Sequence, residues 1–349
     1  MPFTVATFNT LDRMEASRLV LDLPGGDGSA GDEGLRAAAM AGERLYRAKV
    51  TATAGAVRRL DADVIAFQEV QSTTVLDHVR AALPPRDGVP GGGYVTSVCG
   101  PPDKRGIACG LVSRFPVRNI VHHTESNLPF PVLVEGDPKP FAGRLATRRG
   151  VLEVVLALPD GTALHVMVVH FKSKLPSELQ RADGAKVPFV TMRDLVEGEV
   201  RAEIARLAEA LHLRSVIDRR LDENPRIQLL VAGDMNDTPD SLTVRVVRGD
   251  GVAAMRSAYL QVVSGTPMPL AGRALHSCLD GFEAARRKTI EWHGIPENID
   301  HLLVSDAMWD RFQGAAVHNE RLSEISAALG PVENAALESD HSPVVARFV

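Results

Sequence analysis

Val231-Ala-Gly-Asp-Met-Asn-Asp-Thr-Pro-Asp-Ser241 is the stretch on which the reading of this chain turns. The apolar run Ile227–Ala232 predicts a buried strand that ends in Gly233 and then presents Asp234 and Asn236. Side chains alternate along a strand, so a carboxylate and an amide two residues apart share one face. The design recurs: Val64–Phe67 leads into Gln68-Glu69, Val166–Val169 into His170, and Val5–Phe8 into Asn9. Twice the order is reversed, with Asp300 before His301–Val304 and Asp340-His341 before Val344–Val349. If those last two strands run antiparallel to the others, every polar tip converges on one sheet edge, as an active site requires.

The residue types at these tips suit phosphate chemistry. Glu69 and Asp340 are hard oxygen ligands of the kind magnesium takes, with Asn9, Asp234 and Asn236 nearby as further oxygen or amide groups. His170 and His341 each adjoin such a tip, and an imidazole can take a proton from water or donate to a developing phosphorane. Asp300 is the natural orienter for one of them. Any one of these residues alone reads as a cap, a turn former or a half-buried histidine; their co-occurrence at six strand tips carries the argument.

Between the tips the chain alternates helices and strands, which predicts one interleaved α/β domain over residues 1–349. A Gly- and Asp-rich loop, Pro24–Gly34, precedes a helix over Leu35–Leu60, and a second helix covers Thr73–Leu83. Short strands follow at Tyr94–Cys99, Ile107–Ser113, Val117–His122, Leu145–Ala146 and Leu152–Leu158, and Asp160-Gly161 marks a hairpin into Ala163–Val169. A long loop, Lys172–Val196, separates the His170 strand from a helix over Glu197–Asp222, whose apolar stripe is Val200, Ile204, Leu207 and Leu211 with Glu and Arg opposite. Thr238–Leu242 opens a short helix, and Ala271–Pro296 is irregular.

Composition narrows the partners. Of 349 residues, 45% are hydrophobic and 24% charged, enough for a sizeable core. No apolar run approaches the roughly 20 residues that span a bilayer. The start of the chain lacks a basic leader, and Cys99, Cys109 and Cys278 have no metal or redox spacing, so a cytoplasmic location is expected. A formal net charge of −5 disfavours a broad grip on duplex nucleic acid. Arg286-Arg287-Lys288 with Trp292 reads first as a solvated turn and second as an aromatic–basic contact for nucleic acid.

Taken in order, Phe8-Asn9, Gln68-Glu69, His170-Phe-Lys-Ser, Gly233-Asp-Met-Asn-Asp, Ile299-Asp300-His and Ser339-Asp340-His341-Ser-Pro resemble the endonuclease/exonuclease/phosphatase (DNase-I-like) superfamily. The run Arg105-Gly-Ile-Ala-Cys-Gly-Leu-Val-Ser-Arg-Phe-Pro-Val resembles its central strand pair. The resemblance implies a four-layer α/β sandwich, two packed mixed β-sheets flanked by helices. It also implies roles. Glu69 would be the main Mg²⁺ ligand, with Asn9 and Asp340 nearby and Mn²⁺ or Ca²⁺ as alternatives. His341, oriented by Asp300, would act as base or phosphate contact, Asp234 would position or deprotonate water, and Asn236 and His170 would bind the scissile phosphate. Asp12 is a candidate for a second metal, and Lys172, Lys174 and Arg105 are candidates for phosphate contact. The expected activity is a Mg²⁺-dependent phosphodiesterase or nuclease acting on DNA or RNA. The alternative is a phosphatase or phosphodiesterase on a small-molecule or lipid phosphate, and a non-catalytic phosphate binder is the third reading. No protein partner is evident.

Overall fold

Strand β1 (Phe3–Arg13) shows how one strand serves two cores. Phe3 and Val5 point into a cluster shared with a second sheet, while Ala6 and Phe8 point the other way, towards helices. A strand buried on both faces reads as nearly continuous apolar sequence, which is what Val5–Phe8, Val64–Phe67 and Leu229–Ala232 show.

The computed structural model describes residues 1–20, 23, 26–27, 31–138, 140–181, 183–250, 273–292, 294–328 and 338–349. Besides β1, its strands are β2 (Val64–Val70), β3 (Thr96–Cys99), β4 (Ala108–Ser113), β5 (Val117–His123), β6 (Val151–Ala157), β7 (Ala163–His170), β8 (Leu179–Gln180), β9 (Lys186–Val187), β10 (Leu229–Asp234), β11 (His276–Ser277), β12 (Ile290–Trp292), β13 (Ile295–Glu297), β14 (Asp300–Val304), β15 (Phe312–Val317) and β16 (Val344–Phe348). One six-stranded sheet runs β15-β16-β1-β2-β4-β3 and the other β11-β14-β10-β7-β6-β5. Both are mixed, with β1 parallel to β2 and β7 parallel to β10. Helices α2 (Gly31–Leu60) and α3 (Thr73–Ala81) cover the first sheet, Tyr46, Val50, Val57, Val75 and Leu76 packing on Ile65 and Phe67. Helices α4 (Met192–Glu223) and α5 (Leu242–Arg248) cover the second, Leu213, Ile217 and Val244 packing on Met167, Val169 and Val231. The short helix α1 (Ala16–Leu19) follows β1. Between the sheets lies the third cluster, with Val5, Val64, Leu111, Val154, Val166, Leu230 and Phe348. The result is the expected four-layer α/β sandwich.

Three expectations need correcting. Helix α4 begins at Met192, five residues before Glu197, because Thr191 and Asp194 form a capping box that satisfies orphan donors of the first turn. Its buried face holds Ala202, Arg206, Glu209, Leu213, Val216 and Ile217, whereas Val200 is 53% exposed. The face includes buried ion-paired side chains, so hydrophobicity alone points to the wrong stripe. The Leu145–Ala146 strand is absent. The Asp160-Gly161 hairpin is present, joining β6 to β7 with Gly161 at φ +83°. Part of the Pro24–Gly34 loop and residues 271–272 lie outside the described residues, and the remainder of 271–296 holds β11, β12, β13 and a short helix, Ala284–Arg287. Among the described residues, no helix is long and apolar enough to cross a membrane.

Candidate active site

The strand period carries the inter-sheet core straight into a polar pocket. Along β7 the inward positions Leu164, Val166 and Val168 lead to His170; along β10 Leu230 and Ala232 lead to Asp234; along β14 Val304 and Leu302 lead back to Asp300. Because β14 is antiparallel to β10 and β16 antiparallel to β1, the starts of β14 and β16 lie beside the ends of the parallel strands. The tips therefore meet, but between two facing sheets and not along one sheet edge.

Glu69 breaks the period. Parity places it outward with Ile65 and Phe67, yet its φ is +62° and the β2 ladder slips between Gln68 and Val70. This bulge re-aims the side chain, a common use of bulges beside sites. The carboxylate accepts from the Asp12 backbone N–H at 3.0 Å and from Asn9 Nδ2 at 3.4 Å. Leu11 and Asp12 also have positive φ, at 53° and 50°, where β1 loses register with β2 after Asn9.

Asn9 reaches the second sheet as well, its Nδ2 lying 3.1 Å from Asp234 Oδ2. Asp234 accepts further from the Asn236 backbone N–H (2.7 Å) and Nδ2 (3.1 Å), and Asn236 Nδ2 also reaches the Phe171 carbonyl at 3.1 Å. Asn236 has φ +53°, so a tight turn, not strand alternation, keeps it beside Asp234. Its amide donors are spent on protein acceptors. Gly233 is required here because a Cβ would sit 2.0 Å from the Val169 carbonyl oxygen. His170 Nε2 lies 3.5 Å from Asp234 Oδ2 and 3.7 Å from Glu69 Oε1. On the other side His341 Nδ1 meets Asp300 Oδ2 at 2.8 Å.

Electrostatics follows from this crowding. Burial, then the neighbouring Asp300, pushes Asp234 up to about 7, and burial with nearby Asp12 raises Glu69. Burial opposes charge on His341, but Asp300, Asp340 and Asp234 together hold it well above its ordinary value. Burial, then Arg149, holds His170 well below its own. Asp234, Asp300 and His341 offer ligand atoms within 4.8 Å of one another, and Asp300 Oδ1 and Asp340 Oδ1 are buried with no hydrogen-bond partner among the described residues. Crowded carboxylates with unsatisfied hard oxygens are the donor set of a divalent cation.

Several supporting residues carried no sequence signal. Thr289 is fully buried, and its Oγ1 accepts from the backbone of Ile299 (3.0 Å) and Asp300 (3.2 Å) while its carbonyl accepts from Ser342 N (2.7 Å). It thus fixes the spacing between Asp300 and His341. Ser339 Oγ donates to the Asn9 carbonyl at 2.6 Å and accepts from His341 N at 3.0 Å. Arg149 donates to the carbonyls of His170 and Phe171, each at 3.1 Å. Of the candidate phosphate contacts, Lys172 is buried and donates to Ser173 O and Leu175 O, Lys174 pairs with Glu297 at 2.8 Å, and Arg105 stays 61% exposed. Trp292 and Ile295 face each other on the exposed β12–β13 hairpin, beyond Lys174 and Glu297.

Residues 41–341 match the Endonuclease/Exonuclease/phosphatase family, and the chain belongs to it. Its fold is similar to that of a truncated Caenorhabditis elegans TDP2 (12% identity, TM-score 0.52, covering 100% of this chain and 97% of that one). It is similar too to an endonuclease/exonuclease/phosphatase family protein of Bacteroides thetaiotaomicron (14%, TM-score 0.51, 100% and 95%) and to a mannosyl-6-phosphatase from the same organism (14%, TM-score 0.50, 99% and 99%). At such identities the likeness speaks to the fold. No curated protein matches the chain.

Proposed function

We propose that the chain, acting as one domain over residues 1–349, is a Mg²⁺-dependent phosphoesterase that hydrolyses a phosphodiester, nucleic acid first among its substrates. The observation that carries this is the Asp300–His341 pair at 2.8 Å clustered with the Asp234 carboxylate, which Asn9 and His170 link to Glu69. Glu69, Asn9 and Asp340 would hold the Mg²⁺, with Asp234 adjoining and Asp12 the candidate for a second ion; the bound ion would supply charge neutralisation at the phosphate oxygens.

The protein's own groups divide the remaining work. Asp234 is held in orientation by Asn9 and Asn236, and takes the proton of the attacking water. His341 has Nδ1 committed to Asp300, so Nε2 is the donor it turns towards a phosphoryl oxygen, and the Asp300 carboxylate keeps the imidazolium charged as that oxygen gains charge. His170 lines the same space between Glu69 and Asp234 and contacts the phosphate there. Asn236 supports Asp234 more than it meets substrate, since both contacts of its side-chain amide nitrogen are to protein acceptors.

A second reading, a small-molecule or lipid phosphate ester, is favoured by the exposed Trp292 and Ile295 pair on the hairpin whose Ile290 bridges to His341. A panel with Mg²⁺ or Mn²⁺, with and without chelator, separates them: plasmid, single-stranded DNA, RNA, bis-p-nitrophenyl phosphate, p-nitrophenyl phosphate and sphingomyelin. Diester cleavage without monoester cleavage supports the first reading. Turnover of the monoester alone moves the protein to the phosphatases.

A further inference from the structure

One loop from each sheet, at the end where the strand tips meet, carries cations that the proposed chemistry does not use. Residues 100–107, between β3 and β4, bear Lys104 and Arg105, and residues 144–149, leading into β6, bear Arg144, Arg148 and Arg149. Arg149 is structural, clamping the His170 and Phe171 carbonyls. Both loops are fastened close to Arg105 and Arg148. The buried Glu209 carboxylate of α4 accepts the backbone N–H of Lys172 at 2.7 Å and of Arg148 at 3.5 Å. Asp103 accepts the backbone N–H of Arg105 at 2.8 Å and of Ile107 at 3.1 Å, and its other oxygen lies 3.8 Å from Arg149 Nη1.

Arg148 and Arg105 thus stand on anchored backbone, in two loops joined through the Asp103–Arg149 contact. Both are exposed, and among the described residues Arg148 has no ion pair and Arg105 meets only Asp103, at 3.7 Å. Arg148 is held below its ordinary value, by partial burial first and, against Glu209, by the repelling charges of Arg149 and Arg105. Arg105 and Arg148 also add to the charges that, after burial and Arg149, hold His170 below its ordinary value. Arg149 Nη1 is buried without a hydrogen-bond partner among the described residues, a spare donor where the two loops meet.

We infer that Arg148 and Arg105 form a subsite for a second anionic group of the substrate, a phosphate close to the one being hydrolysed. Guanidinium forks match phosphate oxygens in geometry, and an anion between the two relieves their mutual repulsion. The inference rests on the phosphoester reading and narrows it to substrates carrying two phosphates. The next link of a nucleic acid strand and another position on a small molecule both supply such a phosphate; the recognising chemistry is the same.

The test uses two matched diesters, thymidine 5′-(p-nitrophenyl phosphate) with and without a 3′-phosphate, and reads the ratio of their kcat/KM values, in which any general loss of activity cancels. The parent protein should favour the doubly charged diester about tenfold, chiefly through KM, a preference that weakens with salt. The ratio should fall in Arg148→Ala and in Arg105→Ala, approach one in the double variant, and be partly kept in Arg148→Lys. A parent ratio near one, or a ratio that survives the double substitution, overturns the subsite. If neither diester is turned over, the phosphoester reading fails by itself. Calorimetry then decides the subsite. Tighter binding of thymidine 3′,5′-bisphosphate than of thymidine 5′-monophosphate, lost in Arg148→Ala, supports it, and equal binding overturns it. Competition by trithymidylate against 2,3-bisphosphoglycerate names the source: stronger competition from either, weakened by Arg148→Ala, supports the subsite, and none from both overturns it.

Discussion

Asn9, at the end of the first sheet's β1, donates from Nδ2 to Asp234 Oδ2 at the end of the second sheet's β10, 3.1 Å away. With Glu69 Oε1 at 3.4 Å from the same nitrogen, one amide bridges the carboxylates of two sheets. Substituting Asn9→Ala should lower kcat by about 100-fold, the scale on which loss of an orienting group in a preorganised site is felt. Circular dichroism of the variant should match the parent, because the packed core contributes the fold and Asn9 only its tip. A kcat within threefold of the parent refutes the bridge.

Removal of the principal groups is the sharper test. Glu69→Ala and His341→Ala should each lose about 100-fold to 10,000-fold in kcat/KM on bis-p-nitrophenyl phosphate, the usual range for a lost acid–base or charge-stabilising group. Cooperative melting should persist in both. Near-parental turnover by either variant removes it from the proposed roles.

Chelation should abolish turnover and lower Tm, and Mg²⁺ should restore both, because an ion that binds only the folded chain stabilises it by mass action. The crowding that raises Asp234 and Glu69 is relieved by the same ion. A melting temperature unmoved by Mg²⁺ and by chelator argues against a cation in this pocket.

Thr289 is predicted to be a positioning residue. Thr289→Ser keeps the hydroxyl that receives the Ile299 and Asp300 amides, whereas Thr289→Val removes it without changing shape. Thr289→Val should cut kcat about tenfold with KM little changed, and Thr289→Ser should restore most of it. A purely structural role would lower stability in Thr289→Val while leaving the kcat of the folded fraction at the parental value.

Stability against pH should report on Glu153 of β6, which pairs with Met167 on the strand that ends in His170. Its carboxylate is fully buried and meets His123 Nε2 and His165 Nδ1, each at 2.7 Å, and Arg220 Nη2 at 2.8 Å. Burial opposes its charge, yet these hydrogen bonds hold Glu153 well below the usual carboxylate range. A depressed folded value contributes stability that is fully present above the unfolded value of about 4.3 and is lost as pH falls towards the folded one. Tm should therefore drop on acidification below about pH 4 more steeply in the parent than in Glu153→Gln. At pH 7 Glu153→Ala should cost about 2 kcal/mol, since it leaves the half-buried donors of Arg220, His123 and His165 without their acceptor.

The α4 face shows where reading by hydrophobicity stops. Val200, Ile204, Leu207 and Leu211 make the more apolar stripe, yet Arg206 and Glu209 are the buried ones. Arg206 pairs with Asp237 at 3.2 Å and donates to the Lys172 carbonyl, while Glu209 accepts from the Lys172 amide. Charge burial of this kind depends on partners supplied by other segments, and nothing in the helix itself signals them. The Thr191–Asp194 capping box, in contrast, is a local signal legible in the sequence, inside the segment expected to be a loop.

From the chain alone came the strand tips at Asn9, His170, Asp234, Asp300 and His341, because residue type and a period of two are local properties. The pairing of those tips was decided only in three dimensions: Asn9 and Asp234 are 225 positions apart, and the direction of β14 and β16 brings their partners alongside. So was the aim of Glu69, which depends on a bulge that reverses its side. Periodicity describes a strand by itself; which strands face each other, and where a ladder slips, follows from packing two sheets and two helical layers at once.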